Sequence, residues 1–309
     1  MNKLHIFSPA TVANVSCGFD AMAFALENLG DEMIFEKNES GKVTISVIEG
    51  ADLPKDPEKN VAGVVAQAML DDSKADFGVD IQIIKTYKPG SGMGSSAASS
   101  AGAAFAINKF LKEPYSTLEL VKFAQMGELA ACGAPIADNV SAVLYGGFVL
   151  IRSYEPLDVI SIPTPAQLYV TLIHPQIKLG TKEAREVLPK SIDLQTAVSQ
   201  WSNVGGLISG LYAEDFNLIG RSMQDAVAEP VRKHFIPHFD ALKAAALAAG
   251  ALGAGISGSG PSVFALSEGD VTAEKVKQAF DGVYKDKGID YKLYVSKVGK
   301  EGVKSTGIL

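Results

Sequence analysis

The chain has 309 residues, 47 % hydrophobic and 20 % charged, with a formal net charge of −7, enough length for two domains and a sizeable core. The acidic balance argues against nucleic acid or an anionic membrane as the main partner. No apolar run of about 18 residues marks a membrane span. The two cysteines and four histidines form no zinc pattern and no disulfide framework, and the first residues lack a signal-peptide plan, so a reducing, cytoplasmic setting is expected.

In chain order, the N-terminus enters a strand-like run, and residues 43–48 and 81–88 read as strands, the former by its clear apolar alternation. A glycine-rich stretch leads into a helix that ends near Leu111. Ser116-Thr-Leu-Glu119 is a capping box that starts a helix ending near Ala131, before Gly133 and Pro135. Residues 141–153 read as a hairpin broken at Gly146-Gly147. Residues 154–167, with Pro156, Pro163 and Pro165, read as an interdomain connection. A strand at 168–174 follows, then helices at 181–188, 193–212, 215–227 and 238–249, and strands at 262–266 and 293–298. The whole is an α+β chain in two halves, 1–155 and 156–309.

The most telling segment is Pro89-Gly-Ser-Gly-Met-Gly-Ser-Ser-Ala97. Gly90, Gly92 and Gly94 free the backbone, and Ser95 and Ser96 stand where an N-cap belongs. Unpaired N–H groups at such a helix start favour an anion, with polyphosphate the natural one. No Gly-Lys-Ser/Thr ends the loop, so it is not a Walker A. Gly94 is expected to lie where a Cβ would block the approach to a triphosphate, and Ser99, a turn further on, is expected to be silent. Gly253-Ala-Gly-Ile-Ser-Gly258 spells a dinucleotide fingerprint, but a helix precedes it and a strand follows, the reverse of what that site needs. It reads instead as a second glycine loop near a ligand, or as a helix C-cap and turn.

Three segments together resemble the GHMP kinases: Ser8-Pro-Ala-Thr-Val-Ala-Asn-Val-Ser-Cys-Gly-Phe-Asp20, Pro89–Ala98, and Gly253–Ser262, in matching order and spacing. Within the family the resemblance is closest to the homoserine kinases, through Pro9-Ala-Thr, Ala13-Asn14, Gly18-Phe-Asp20, Met126-Gly-Glu128, Ala137-Asp-Asn-Val140, Ala184-Arg185 and Glu229-Pro-Val-Arg232. Val12, Val15, Ser16 and Cys17 depart from the more usual Ser, Leu, Gly and Pro, which bears on the course of the first loop.

The resemblance implies an N-terminal domain like domain 2 of ribosomal protein S5, a ferredoxin-like C-terminal domain, and an active site between them. It implies ATP and Mg²⁺ as cofactors, L-homoserine as substrate and a homodimer. Ser96 and Glu128 would hold Mg²⁺; Asn14, Asp20, Asp138, Arg185 and Arg232 would bind homoserine. The nucleotide would lie along Pro89, Gly90, Ser91, Gly92, Met93, Gly94, Ser95, Ser96, Ala97, Gly258, Ser259 and Gly260, with Asn60 and Lys88 near the adenine. As a catalytic set, Ser96, Glu128 and Asp20 follow, though no strong general base is evident.

The residue types fit that chemistry. Mg²⁺ takes hard oxygen ligands. An ammonium group wants carboxylates, and a carboxylate wants guanidinium forks. Arginine occurs only at Arg152, Arg185, Arg221 and Arg232, so each merits weighing as an anion ligand. Blander readings remain: Glu128 as a solvated residue at the edge of its helix stripe, Asp138 and Asn139 as turn formers, Arg185 and Arg232 as helix-surface residues. At the level of function, a GHMP kinase for mevalonate or a sugar, or a non-catalytic binding protein, also remain.

Overall fold

The computed structural model describes residues 2–308, in which two sheets are packed side by side. In the first, β1 (Lys3–Ala13) runs antiparallel to the long β2 (Met22–Asn38). β3 (Val43–Glu49) is joined through α1 (Val61–Ser73) to β4 (Gly78–Ile84), which pairs with β2 and, in parallel, with β3. Helices α2 (Ser95–Phe110), α3 (Thr117–Cys132) and α4 (Asp138–Tyr145) follow, then the hairpin β5 (Phe148–Tyr154) and β6 (Leu157–Ile162), with β5 pairing β2.

The second half runs β7 (Leu168–Pro175), α5 (Thr181–Glu186), α6 (Leu194–Ala213), α7 (Phe216–Ser222), α8 (Glu229–Arg232), α9 (Phe239–Ala248), β8 (Gly253–Ile256), β9 (Val263–Glu268), α10 (Asp270–Tyr284) and β10 (Tyr291–Lys297). Its strands form an antiparallel sheet in the order β10-β7-β9-β8. The last strand, β11 (Lys304–Ile308), returns to pair with β1.

The small residues of α2 have a packing reason. The helix is buried along most of its length. A Cβ on Gly102 would lie 2.7 Å from Met33 Sδ on the sheet, and one on Gly127 of α3 would lie 2.2 Å from Ser100 Oγ. Only alanine, serine and glycine let the sheet and α3 come this close to α2. The halves also share a core: Val12, Phe24 and Phe148 pack with Leu172, Leu207 and Phe264. The Phe24 ring lies 4.8 Å from Phe148 and 6.1 Å from Phe264, centroid to centroid.

Several expectations need correction. The run 141–153 opens as α4, not as a strand, and the glycine pair ends that helix. Residues 157–162, expected as connecting chain, form β6; its cross-strand partners on β5 satisfy the backbone despite the nearby prolines. We therefore propose residues 163–167 as the connection between the halves, with β11 belonging to the first. Strand β4 ends at Ile84, so residues 85–88 are not strand. Helix α7 stops at Ser222. Residues 253–256, read as a loop or helix cap, form β8, and no helix follows them. α1, β2 and α10 went unread. α10 is amphipathic, burying Ala273, Val276, Phe280 and Tyr284 at helical spacing.

Candidate active site

Three turns meet where the halves join. The loop 89–94 connects β4 to α2, with positive φ at Gly90, Gly92 and Gly94. A Cβ on Gly92 would stand 2.5 Å from the Ser257 carbonyl oxygen and 2.7 Å from that of Gly260, so glycine is what lets this loop rest on the turn between β8 and β9. The two are also tied by hydrogen bonds: Ser257 Oγ donates to the Gly92 carbonyl at 2.7 Å, and Ser262 N to that of Ser91 at 3.2 Å. The third turn, between β1 and β2, joins them through Asn14 Nδ2, which donates to the Gly258 carbonyl at 2.8 Å. Its backbone is unusual. Asn14, Val15 and Ser16 all have positive φ, as does Asp20, a costly conformation for a β-branched valine.

The start of α2 differs from the expected cap. Gly94 is the N-cap, in the left-handed region at φ 67, with no side-chain cap bond; Ser95 and Ser96 are already helical. The first N–H groups of α2 therefore have neither an intrahelical acceptor nor a capping oxygen. Gly94 is required by the protein itself. A Cβ there would lie 2.0 Å from Thr11 Oγ1 and 3.0 Å from Asn139 Oδ1, two atoms hydrogen-bonded to each other.

A cavity of about 460 Å³ opens above these turns, bordered by Gly90, Gly92, Gly94, Ser95 and Ser96 and by Gly258 and Ser259. Asn14, Asp20, Glu128, Asp138, Arg185 and Arg232 border it as well. Glu128 is buried on the Val121–Ala124 face of α3, which removes its reading as a solvated edge residue. Its Oε1 has no hydrogen-bond partner among the described residues. Burial pushes its pKa up to about 7; a hydrogen bond from Ser96 opposes this, the charge of Asp138 adds to it, and Lys85 opposes it. Asp138, at the first turn of α4, is also raised to about 7, by burial and then by repulsion from Asp20. Its Oδ1 accepts from the Asn139 amide N–H at 2.6 Å.

The two arginines come from the second half. Arg185, on α5, pairs with Asp20 at 3.0 Å. Arg232 is buried; its Nε donates to the Ala184 carbonyl at 2.8 Å, and its guanidinium lies 5.1 Å from the centroid of the Phe19 ring. The orphaned carboxylate oxygen and the serine hydroxyl supply hard donors for a divalent cation. The paired carboxylate and guanidinium groups on the same cavity suit a zwitterion.

Comparison with known proteins agrees with this geometry. Residues 60–147 match the model of the GHMP kinases N terminal domain, and residues 207–286 that of the GHMP kinases C terminal. The chain belongs to the GHMP kinase family. It is 46 % identical to homoserine kinase of Chlorobium phaeobacteroides, over 98 % of this chain and 99 % of that one. The crystal structure of homoserine kinase from Cytophaga hutchinsonii superposes with a TM-score of 0.95 at 48 % identity, covering 99 % of this chain and 98 % of that one. The L. major mevalonate kinase structure, at 18 % identity and a TM-score of 0.73 over 94 % of this chain and 95 % of that one, shares the fold. As a GHMP kinase, the protein is an ATP-dependent small-molecule kinase with the two-domain α+β fold of that family.

Not every expected residue of this kinase reaches the cavity. Lys88 is exposed and outside it, close enough to His174 to help lower that imidazole's pKa to about 4, after burial. Ser91, Met93 and Ala97 are buried behind the loop wall. Gly260 faces Ile236, Ile256 and Leu179. Asn60 borders the cavity, yet its side chain is engaged with the backbone: Oδ1 accepts from Ala62 N as the N-cap of α1, and Nδ2 donates to the Pro54 carbonyl.

Sequence reasoning gave Lys85 and Tyr154 no part in the site, took Asn139 as a turn former and named Thr11 only within a motif. Tyr154 Oη donates to the Asp20 carbonyl at 3.0 Å, steadying a residue with positive φ. Ser99, expected to be silent, is buried, borders the cavity and accepts from Lys85 Nζ at 2.8 Å. A lysine directly after the strand run Ile81-Gln-Ile-Ile84 was the available signal for Lys85.

Proposed function

We infer that the protein transfers the γ-phosphate of ATP to the side-chain hydroxyl of L-homoserine, giving O-phospho-L-homoserine, a step of threonine biosynthesis in the cytoplasm. The observation that carries this reading is the opposed pair Asp20 and Arg185, with Asp138 and the buried Arg232 on the same cavity. The ammonium of the amino acid would face Asp20 and Asp138, and its carboxylate Arg185 and Arg232. Mevalonate has no ammonium for the aspartates, and a sugar has no carboxylate for the arginines. The nearly full-length relatives named homoserine kinase support the same choice.

The free amides at the start of α2 and the turn at Gly258 and Ser259 would receive the phosphates. Glu128 and Ser96 would hold Mg²⁺, and the orphaned Glu128 Oε1 fits that role. Bound there, Mg²⁺ would offset phosphate charge during transfer. Asp20, already paired with Arg185, serves to orient the substrate rather than to remove a proton. We assign no side chain as general base; the hydroxyl proton would leave late, to phosphate or water. Transfer then depends on positioning and charge neutralisation.

A coupled assay of ATP consumption over homoserine, related amino alcohols, mevalonate and hexoses tests this. Homoserine should stimulate turnover most. Clear turnover of mevalonate or a hexose with none for homoserine would overturn it.

A further inference from the structure

A buried ammonium lies beneath the glycine loop. Lys85 follows the last residue of β4, and its side chain is 1 % exposed; that of its partner Asp31, on β2, is 0 % exposed. Each of its three protons has an acceptor: Asp31 Oδ2 at 2.5 Å, the Ser95 carbonyl at 2.8 Å and Ser99 Oγ at 2.8 Å. One cation thus ties the sheet to the first turn of α2. Burying an ion pair is a poor way to gain stability, since apolar residues of like volume do as well or better. The pair therefore calls for a reason beyond folding.

Its contacts point to one. Ser95 and Ser99 are the first and fifth residues of α2, and the helix start has no side-chain cap of its own. Lys85 also borders the cavity. With all three donors engaged, it has no proton left to grip a phosphate directly.

We propose that Lys85 is the positioning residue of the phosphate site: anchored by Asp31, it fixes the first turn of α2, and with it the free amides and the Ser96 hydroxyl, where the triphosphate must meet them. This rests on the nucleotide reading of the loop. The loop has no lysine of the Walker type, and the rigidity that a direct lysine contact would lend the phosphates comes instead from below, through the backbone.

The test is calorimetric titration of the full-length protein with MgATP, alongside thermal melting and homoserine KM. Lys85→Met should weaken ATP about tenfold or more and lower the melting temperature, because Asp31 is left buried and unpaired. Lys85→Met combined with Asp31→Leu should regain most of the melting temperature, yet still bind ATP about tenfold more weakly. Its homoserine KM should stay within about twofold of wild type. Ser99→Ala, which leaves both charges paired, should weaken ATP about threefold without loss of fold. A double variant with recovered melting temperature and wild-type ATP affinity would overturn the proposal, since the pair would then serve the fold alone. Should neither lysine variant fold, unchanged ATP affinity in Ser99→Ala overturns it equally. Failure of the wild-type protein to bind ATP would instead remove the nucleotide reading of the loop.

Discussion

The two walls of the cavity are built from different materials. The wall at the start of α2 is backbone: glycine turns, unpaired N–H groups and small residues, held from beneath by buried side chains. A second part of the lining is side chain: Asp20 and Asp138 from the first half, Arg185 and Arg232 from the second. A polyphosphate is common to every member of a kinase family, and backbone amides bind it with little dependence on side-chain identity. An acceptor differs from kinase to kinase, and only side chains can encode the difference.

Where the walls meet, Glu128 has the largest expected effect. Glu128→Gln keeps the shape and loses the charge, so turnover should fall by about 100-fold or more, with far-UV circular dichroism unchanged. Wild-type turnover at limiting Mg²⁺ would return Glu128 to a purely structural role.

On the backbone wall, Gly94→Val should abolish measurable ATP binding and also destabilise the fold. Its Cβ would enter the Thr11–Asn139 hydrogen bond, and a β-branched residue resists the positive φ, at a combined cost of about 2–4 kcal/mol. Calorimetry and melting together check this. A variant with native melting and native ATP affinity would mean that the loop is a simple turn.

On the side-chain wall, Arg232→Lys should raise homoserine KM by about tenfold and leave ATP KM nearly unchanged, because lysine keeps the charge and loses the fork. Equal losses for both substrates would blur the contrast between the walls.

The smallest effect is in pH. Glu128 and Asp138 both titrate near 7 in the folded protein, well above ordinary carboxyls. Between about pH 4 and 7 the unfolded chain has released these protons and the folded chain still holds them. Stability without ligand should therefore fall as pH rises through that window and level off above it. Asp138→Asn removes one such group and should raise stability at pH 8 by about 1–3 kcal/mol relative to wild type, with little gain at pH 4. Denaturant melts at the two pH values measure it; an equal shift at both would assign the gain to packing.

The same contrast explains what was legible beforehand. The glycine loop, the capping box at Ser116, and the helices led by Asp193 and Asp215 are local signals, written within a few residues, and they stand in the structure. Glu128 could be placed on an apolar stripe by helical spacing alone. Burial across the fold was not legible. Lys85 finds Asp31 across 54 positions, and Gly94 meets Thr11 on a strand far from it in sequence. Lys88 looked suitable beside the loop, but the chain turns at 85–88 and carries it outward. Strand β6 went unread because the flanking Pro156 and Pro163 signal a turn, while the partner that makes it a strand is supplied by the sheet.

We propose that the side-chain wall reads a zwitterion. This is tested most directly by kcat/KM for L-homoserine against two truncated acceptors, γ-hydroxybutyrate without the amine and propanolamine without the carboxylate. Each truncation removes one of the two charges that these side chains would bind, so each should lose about 100-fold or more. Turnover of either truncated acceptor within a few-fold of homoserine would contradict the account.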